Sequence, residues 1–92
     1  MRKKFLVIYE KADRNWSAYF PQVGGCAVTG KTLEATRNQA REALEFHFEG
    51  LLESGNELPE PTPIDVDALF QQFPFDFAGF IEIETERHAA VA

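Results

Sequence analysis

The sequence predicts a two-layer α+β domain: a three-stranded antiparallel sheet with one long helix packed across it. Three observations carry this. Short β-branched and aromatic runs near the N-terminus are separated by turn residues. A single long amphipathic segment follows them, and one alternating run comes near the end, giving the order β-β-β-α-(short α)-β. Ninety-two residues make one small domain, and 45% hydrophobic with 13% aromatic content is globular rather than disordered.

Lys4–Glu10 reads as the first strand; its middle is apolar on both faces, so it is expected at the centre of the sheet, covered on both sides. Lys11–Asn15 is a polar turn, and Trp16–Phe20 is a second strand joined to the first as a hairpin. Pro21 ends it because proline donates nothing to a ladder. Gln22–Gly25 is a turn, Cys26–Thr29 a short third strand, and Gly30-Lys31 leads into the helix. That helix, Thr32 to Gly55, has both ends marked. Thr32 is a good N-cap, Glu34 suits the dipole of the first turn, and Ser54-Gly55 offers a residue able to adopt positive φ. Ala35 stands where a reciprocal capping box needs Glu or Gln, so half the device is present. Leu33, Ala40, Leu44, Phe48 and Leu51 form the apolar stripe, widened by Ala43, His47 and Leu52.

Pro59, Pro61 and Pro63 favour a stiff polyproline connector. Ile64–Phe73 is predicted as a short helix capped by Asp65, stopped by Pro74, with Val66, Leu69, Phe70 and Phe73 on its apolar side. Ala78–Thr85 is the fourth strand, either completing the sheet or pairing with another copy of the chain. Phe75, Phe77, Ile81 and Ile83 lie on one side of it, and Gly79 is read as a bulge or a close approach. Glu86–Ala92 is expected to fray. Residues 1–58 form the core unit, and 59–92 add the connector, short helix and last strand to the same domain.

A net charge of −6 argues against a phosphate-binding surface and fits a basic partner. Cys26 is the only cysteine, so no internal disulfide forms, which fits a reducing compartment, the cytoplasm. No apolar run is long enough for a membrane span, and Phe5–Tyr9 is too short for a secretory signal.

The run from Tyr19 to Pro61 resembles the HicB-like antitoxin family. The residues that carry the resemblance are Tyr19-Phe20-Pro21, Gly25-Cys26, Gly30, Thr32-Leu33-Glu34, Ala40, Glu42-Ala43-Leu44, Gly55 and Pro59-Glu60-Pro61. The chain departs from the family pattern at Gln22, Gly24 and Lys31. The resemblance implies a partial RNase H-like fold without the catalytic acids of the nuclease. It further implies a non-enzymatic antitoxin that binds and neutralises a small, basic, mRNA-cleaving HicA-like toxin. Members often add a C-terminal DNA-binding module. The segment after Pro63 shows no second helix pair and no basic recognition face, so the chain is expected to bind no nucleic acid by itself.

The residues offer little chemistry of their own. His47 lies on the apolar side of the helix with no Asp, Cys or Ser placed to make it a catalyst, so it is read as a rim histidine. His88 falls in the tail, and Cys26 is read as a small buried residue. No His-x-x-x-His or Cys pair marks a metal site, and no cofactor motif occurs. Glu10, Asp13, Trp16 and Tyr19, clustered around the first hairpin, are the candidate partner contacts, with acids taking the place of RNA phosphates. The Phe-rich stretch Phe70–Phe80 is too apolar to leave exposed on a small monomer and predicts a homodimer or higher oligomer. The competing reading is a solitary oligomeric adaptor of the same fold, serving another protein partner.

Overall fold

The structure, a computed structural model, describes residues 2–84. The elements run β1(Arg2–Lys11), β2(Trp16–Tyr19), β3(Ala27–Gly30), α1(Leu33–Glu53), α2(Val66–Gln72) and β4(Phe77–Glu84). Predicted and observed ends agree to within about two residues; α2 starts two residues later than expected and stops one short of Phe73. Thr85 and the tail Glu86–Ala92 lie outside the described residues.

One expectation is corrected. The sheet has four strands, in the order β3-β2-β1-β4, rather than three. The reason lies in β1, ten residues long and fully buried from Phe5 to Tyr9. β2 pairs with one edge of β1 only, over Ile8 to Lys11, so the backbone groups on the other edge of this buried strand need a second neighbour. β4 supplies it antiparallel, in unbroken register from Arg2↔Glu84 to Tyr9↔Phe77. This also removes the bulge expected at Gly79, which pairs with Val7 in regular register; a Cβ there would meet nothing closer than 3.6 Å.

The register sorts side chains by face. Phe5, Val7 and Tyr9 share one face with Ala18, Ile81 and Ile83, and α1 packs on it through Ala40, Leu44 and Phe48. Phe5 and Phe48 meet edge to face, centroids 5.2 Å apart. α1 lies chiefly over β2 and β3 and touches β4 only lightly. Its tie to β4 is Arg41, whose Nη1 donates to the Glu82 carbonyl at 2.8 Å. The N-cap is as expected: Thr32 Oγ1 accepts from the Ala35 N–H at 3.0 Å. Gly55 adopts φ 77° after the helix.

Gly30 is a strand residue rather than a turn. A Cβ on it would fall 2.5 Å from Thr36 Oγ1 and 2.8 Å from the Thr36 nitrogen. The first turn of α1 therefore rests directly on the β3 backbone. Thr36 is fully buried there, its hydroxyl donating to the Thr32 carbonyl at 2.7 Å.

The opposite face of β1 buries Leu6 and Ile8, outside the α1 core. The connector after α1 and the segment before β4 are tied to this strand at its two ends. Lys3 Nζ meets Glu60 at 2.7 Å at one end, and the Lys11 N–H donates to Asp76 Oδ2 at 2.6 Å at the other. Gln22 holds the connector where β2 stops: its Oε1 accepts from the Leu6 N–H at 2.8 Å, and its amide donates to the Thr62 carbonyl. The expectation that β1 is covered on both sides is thus met.

Candidate partner-binding site

The hairpin between β1 and β2 distributes the four predicted contact residues over two faces. Glu10 pairs with Ser17 and Ile8 with Tyr19, so Glu10 and Tyr19 share the face away from α1. Burial, and then the Glu10 charge, push the Tyr19 hydroxyl above its ordinary value. Trp16 pairs with Lys11 on the helix face, where it packs against the core with Lys11 Nζ 6.0 Å from its ring centroid. Asp13 is exposed in the turn, which the Ala12 N–H closes by donating to the Asn15 carbonyl at 2.8 Å. Glu10 and Tyr19 are therefore brought together, while Trp16 stands behind the sheet from them. Lys11 and Arg14 interleave with the acids, so the tip is of mixed charge.

A second surface was not anticipated. On α1 the core takes Ala40, Leu44 and Phe48; the far side carries Phe46, 77% exposed. At 100° per residue Phe46 lies near the middle of the solvent face. Glu42 is one turn before it, and Glu49 and Glu53 follow one and two turns later, all exposed. Phe46 also borders a groove of about 470 Å³ between α1 and the start of β3, with Cys26, Ala43, His47 and Leu51 among its lining. His47 is half-buried at this rim, as expected. Cys26 is 7% exposed, and burial pushes its thiol above its ordinary value of 9.0. Mid-helix Gly50, exposed beside Phe46, leaves its surroundings open. The helical period was legible here, since a phenylalanine two places from Phe48 cannot share its face. It was missed because only the core-facing stripe was followed.

Among the described residues, no group of three or more His, Cys, Asp or Glu side chains is placed to hold a metal ion. No helix there is long and apolar enough to cross a membrane.

Residues 5–89 match the family described as HicB_like antitoxin of bacterial toxin-antitoxin system. The chain belongs to the HicB-like antitoxins. Among solved structures, the antitoxin HicB3 superposes with a TM-score of 0.74 at 28% identity, over 91% of this chain and 64% of that one. A chain of the HicA3 and HicB3 toxin-antitoxin complex superposes with a TM-score of 0.71 at 27% identity, over 88% of this chain and 98% of that one. In sequence, the chain is 39% identical over 59 residues to a 14.9 kDa protein of the rep-hol intergenic region of Haemophilus phage HP1 (strain HP1c1). That match takes in 64% of this chain and 44% of the phage protein, so the chain spans less than half of that relative's length. In this chain a four-stranded sheet lies under one long helix, and both surfaces described above project from it.

Proposed function

We propose that this HicB-like chain binds and neutralises a small, basic, mRNA-cleaving toxin in the cytoplasm. It does so by covering the toxin's RNA-facing surface, with no catalysis of its own. The observation that carries the reading is Phe46: a large apolar side chain held out into water at the centre of an acidic helix face. Exposed aromatics that enter a partner's pocket supply most of the energy of a protein interface, often 2 kcal/mol or more each. Surrounding carboxylates speed and orient the approach of a basic partner. Glu42, Glu49 and Glu53 serve that end here, with the chain's net −6 charge behind them.

Asp13, at the hairpin tip, lies beside the start of α1, while Glu10 and Tyr19 face the opposite side of the sheet from Phe46 and offer a second contact region, with Trp16 on the helix side. α1 begins beside the hairpin and reaches Phe46 about 20 Å further on.

The test is co-expression with the small basic protein encoded beside this gene. Wild-type chain is expected to restore growth and co-purify with it, and Phe46→Ala to weaken the complex while folding normally. Absence of a complex with wild-type chain overturns the reading.

A further inference from the structure

The two outer edges of the sheet are built differently. β3 is four residues long, and α1 rests on its end at Gly30. Shortness of this kind is a common way to keep an edge from recruiting other strands. β4 has no such protection. It is eight residues, Phe-Ala-Gly-Phe-Ile-Glu-Ile-Glu, with no proline, lysine or arginine and no break in its register with β1. Among the described residues no element pairs with its outer edge. Phe77 is 49% and Phe80 60% exposed, on opposite faces of the sheet. A groove of about 540 Å³, lined in part by Tyr9, Leu33, Arg37 and Phe77, opens between this strand and α1.

We propose that this edge pairs with the β4 edge of a second copy of the chain, antiparallel about a two-fold axis at Phe80. The sheets then join into one of eight strands. The occupant follows from the strand's own sequence and charge. An antiparallel two-fold pair keeps both helices on one face, so a residue meets a partner of the same parity. With Phe80 opposite its own copy, Phe77 faces Ile83 and Gly79 faces Ile81 of the second chain. Both are favourable combinations: aromatic against β-branched, and a bare backbone against a bulky side chain. Glu82 then faces Ala78 rather than another acid. A slip of two residues toward the C-terminal end puts Phe80 against Glu82, and a slip of four sets Glu82 against itself. The strand's two acids are already countered within the chain, since Arg2 lies 3.1 Å from Glu82 and 3.7 Å from Glu84. A chain of net charge −6 repels its copy over most of its surface. Along Phe77–Ile83 of this strand two copies meet without facing acids; at each end Glu84 comes opposite Asp76 of the second chain, with Arg2 3.7 Å from that Glu84. A basic partner finds no uncompensated charge here, which separates this surface from the acidic face of α1.

Light scattering on the purified full chain at about 100 μM is expected to give twice the 10.4 kDa chain mass. Phe80→Lys, at a 60% exposed position, is expected to halve that mass with an unchanged circular dichroism spectrum. A second variant reads the register. In a Cys26→Ala background, Phe80→Cys places the two thiols directly opposite, within disulfide range. Mild oxidation is expected to cross-link it, while Glu84→Cys stays uncross-linked. Three outcomes overturn the proposal: a monomeric wild-type chain, a Phe80→Lys variant that stays dimeric, or cross-linking of Glu84→Cys in preference to Phe80→Cys. A monomer that dimerises only when mixed with another protein would assign the edge to that protein's strand. None of these readouts involves the toxin, so failure here leaves the antitoxin reading standing, and the converse holds.

Discussion

Two phenylalanines two residues apart on α1 do opposite things. Phe48 is fully buried and meets Phe5 edge to face, at the centre of the layer between helix and sheet. Phe46 points the other way, out of the molecule, and is 77% exposed. The helix and the residue type are the same, so direction alone separates a side chain that stabilises the fold from one that adds nothing to it. An exposed phenylalanine that the core does not use marks a surface meant to be covered from outside.

The sharpest way to break this comparison is to remove each ring in turn. Phe48→Ala is expected to destabilise the domain by about 3–5 kcal/mol, a large share of what a domain this size possesses. Urea unfolding will show it as a lower midpoint or as loss of the folded state. Gly30→Ala is expected to cost about 1–3 kcal/mol, because its Cβ collides with the backbone of Thr36 and not merely with a movable side chain. The same titration reads it, and an unchanged midpoint would mean that α1 does not rest on β3 as described. Phe46→Ala is expected to leave the midpoint within about 0.5 kcal/mol of wild type. Toxin affinity should nevertheless fall about 30-fold, the equivalent of 2 kcal/mol. Calorimetric titration separates the two effects; a fall in stability with no loss of binding would reverse the assignment of this ring.

Alkaline pH probes the buried side more gently. Burial raises Cys26 above 9.0 and Tyr9 above 10.0, with Arg37 and Arg41 opposing the rise at Tyr9. Burial, aided by Glu10, raises Tyr19. Each group folds in its neutral form, so its contribution is complete below the unfolded value and is lost as pH climbs through the folded one. Thermal stability should show no pH dependence from these groups between pH 7 and 8 and should decline above about pH 9–10, less steeply in Cys26→Ala. The smallest effect lies next to Phe46. Gly50→Ala meets open space and is expected to stabilise the helix by about 0.5–1 kcal/mol. If a partner backbone comes close at that point, the same change weakens binding.

What was legible in the sequence was mostly local. Thr32, Asp65 and Gly55 mark helix ends through hydrogen bonds and backbone angles spanning a few residues, and the structure reproduces all three. The buried run Phe5–Tyr9 announced a central strand by composition alone. Features that depend on distant partners were harder. Whether the last strand joins this sheet was left open, because pairing Arg2 with Glu84 is a choice between surfaces far apart in the chain. Gly30 read as a turn residue, since the approach of Thr36 exists only once α1 is laid down. At the hairpin, the three-residue spacing of Trp16 and Tyr19 already assigned them to opposite faces, and the ladder agrees. Phe46 carried an equally simple signal that periodicity, followed all the way round the helix, would have revealed.

The pairing of β1 with β4 has a consequence for synthesis. The first described strand of this chain receives one of its two neighbours from the last described element, more than sixty residues downstream. At about 5–20 residues per second, translation leaves the oiliest segment of the molecule half-matched for roughly 4 to 14 s. During that interval one edge of this apolar strand stays unpaired, the kind of surface that chaperones recognise.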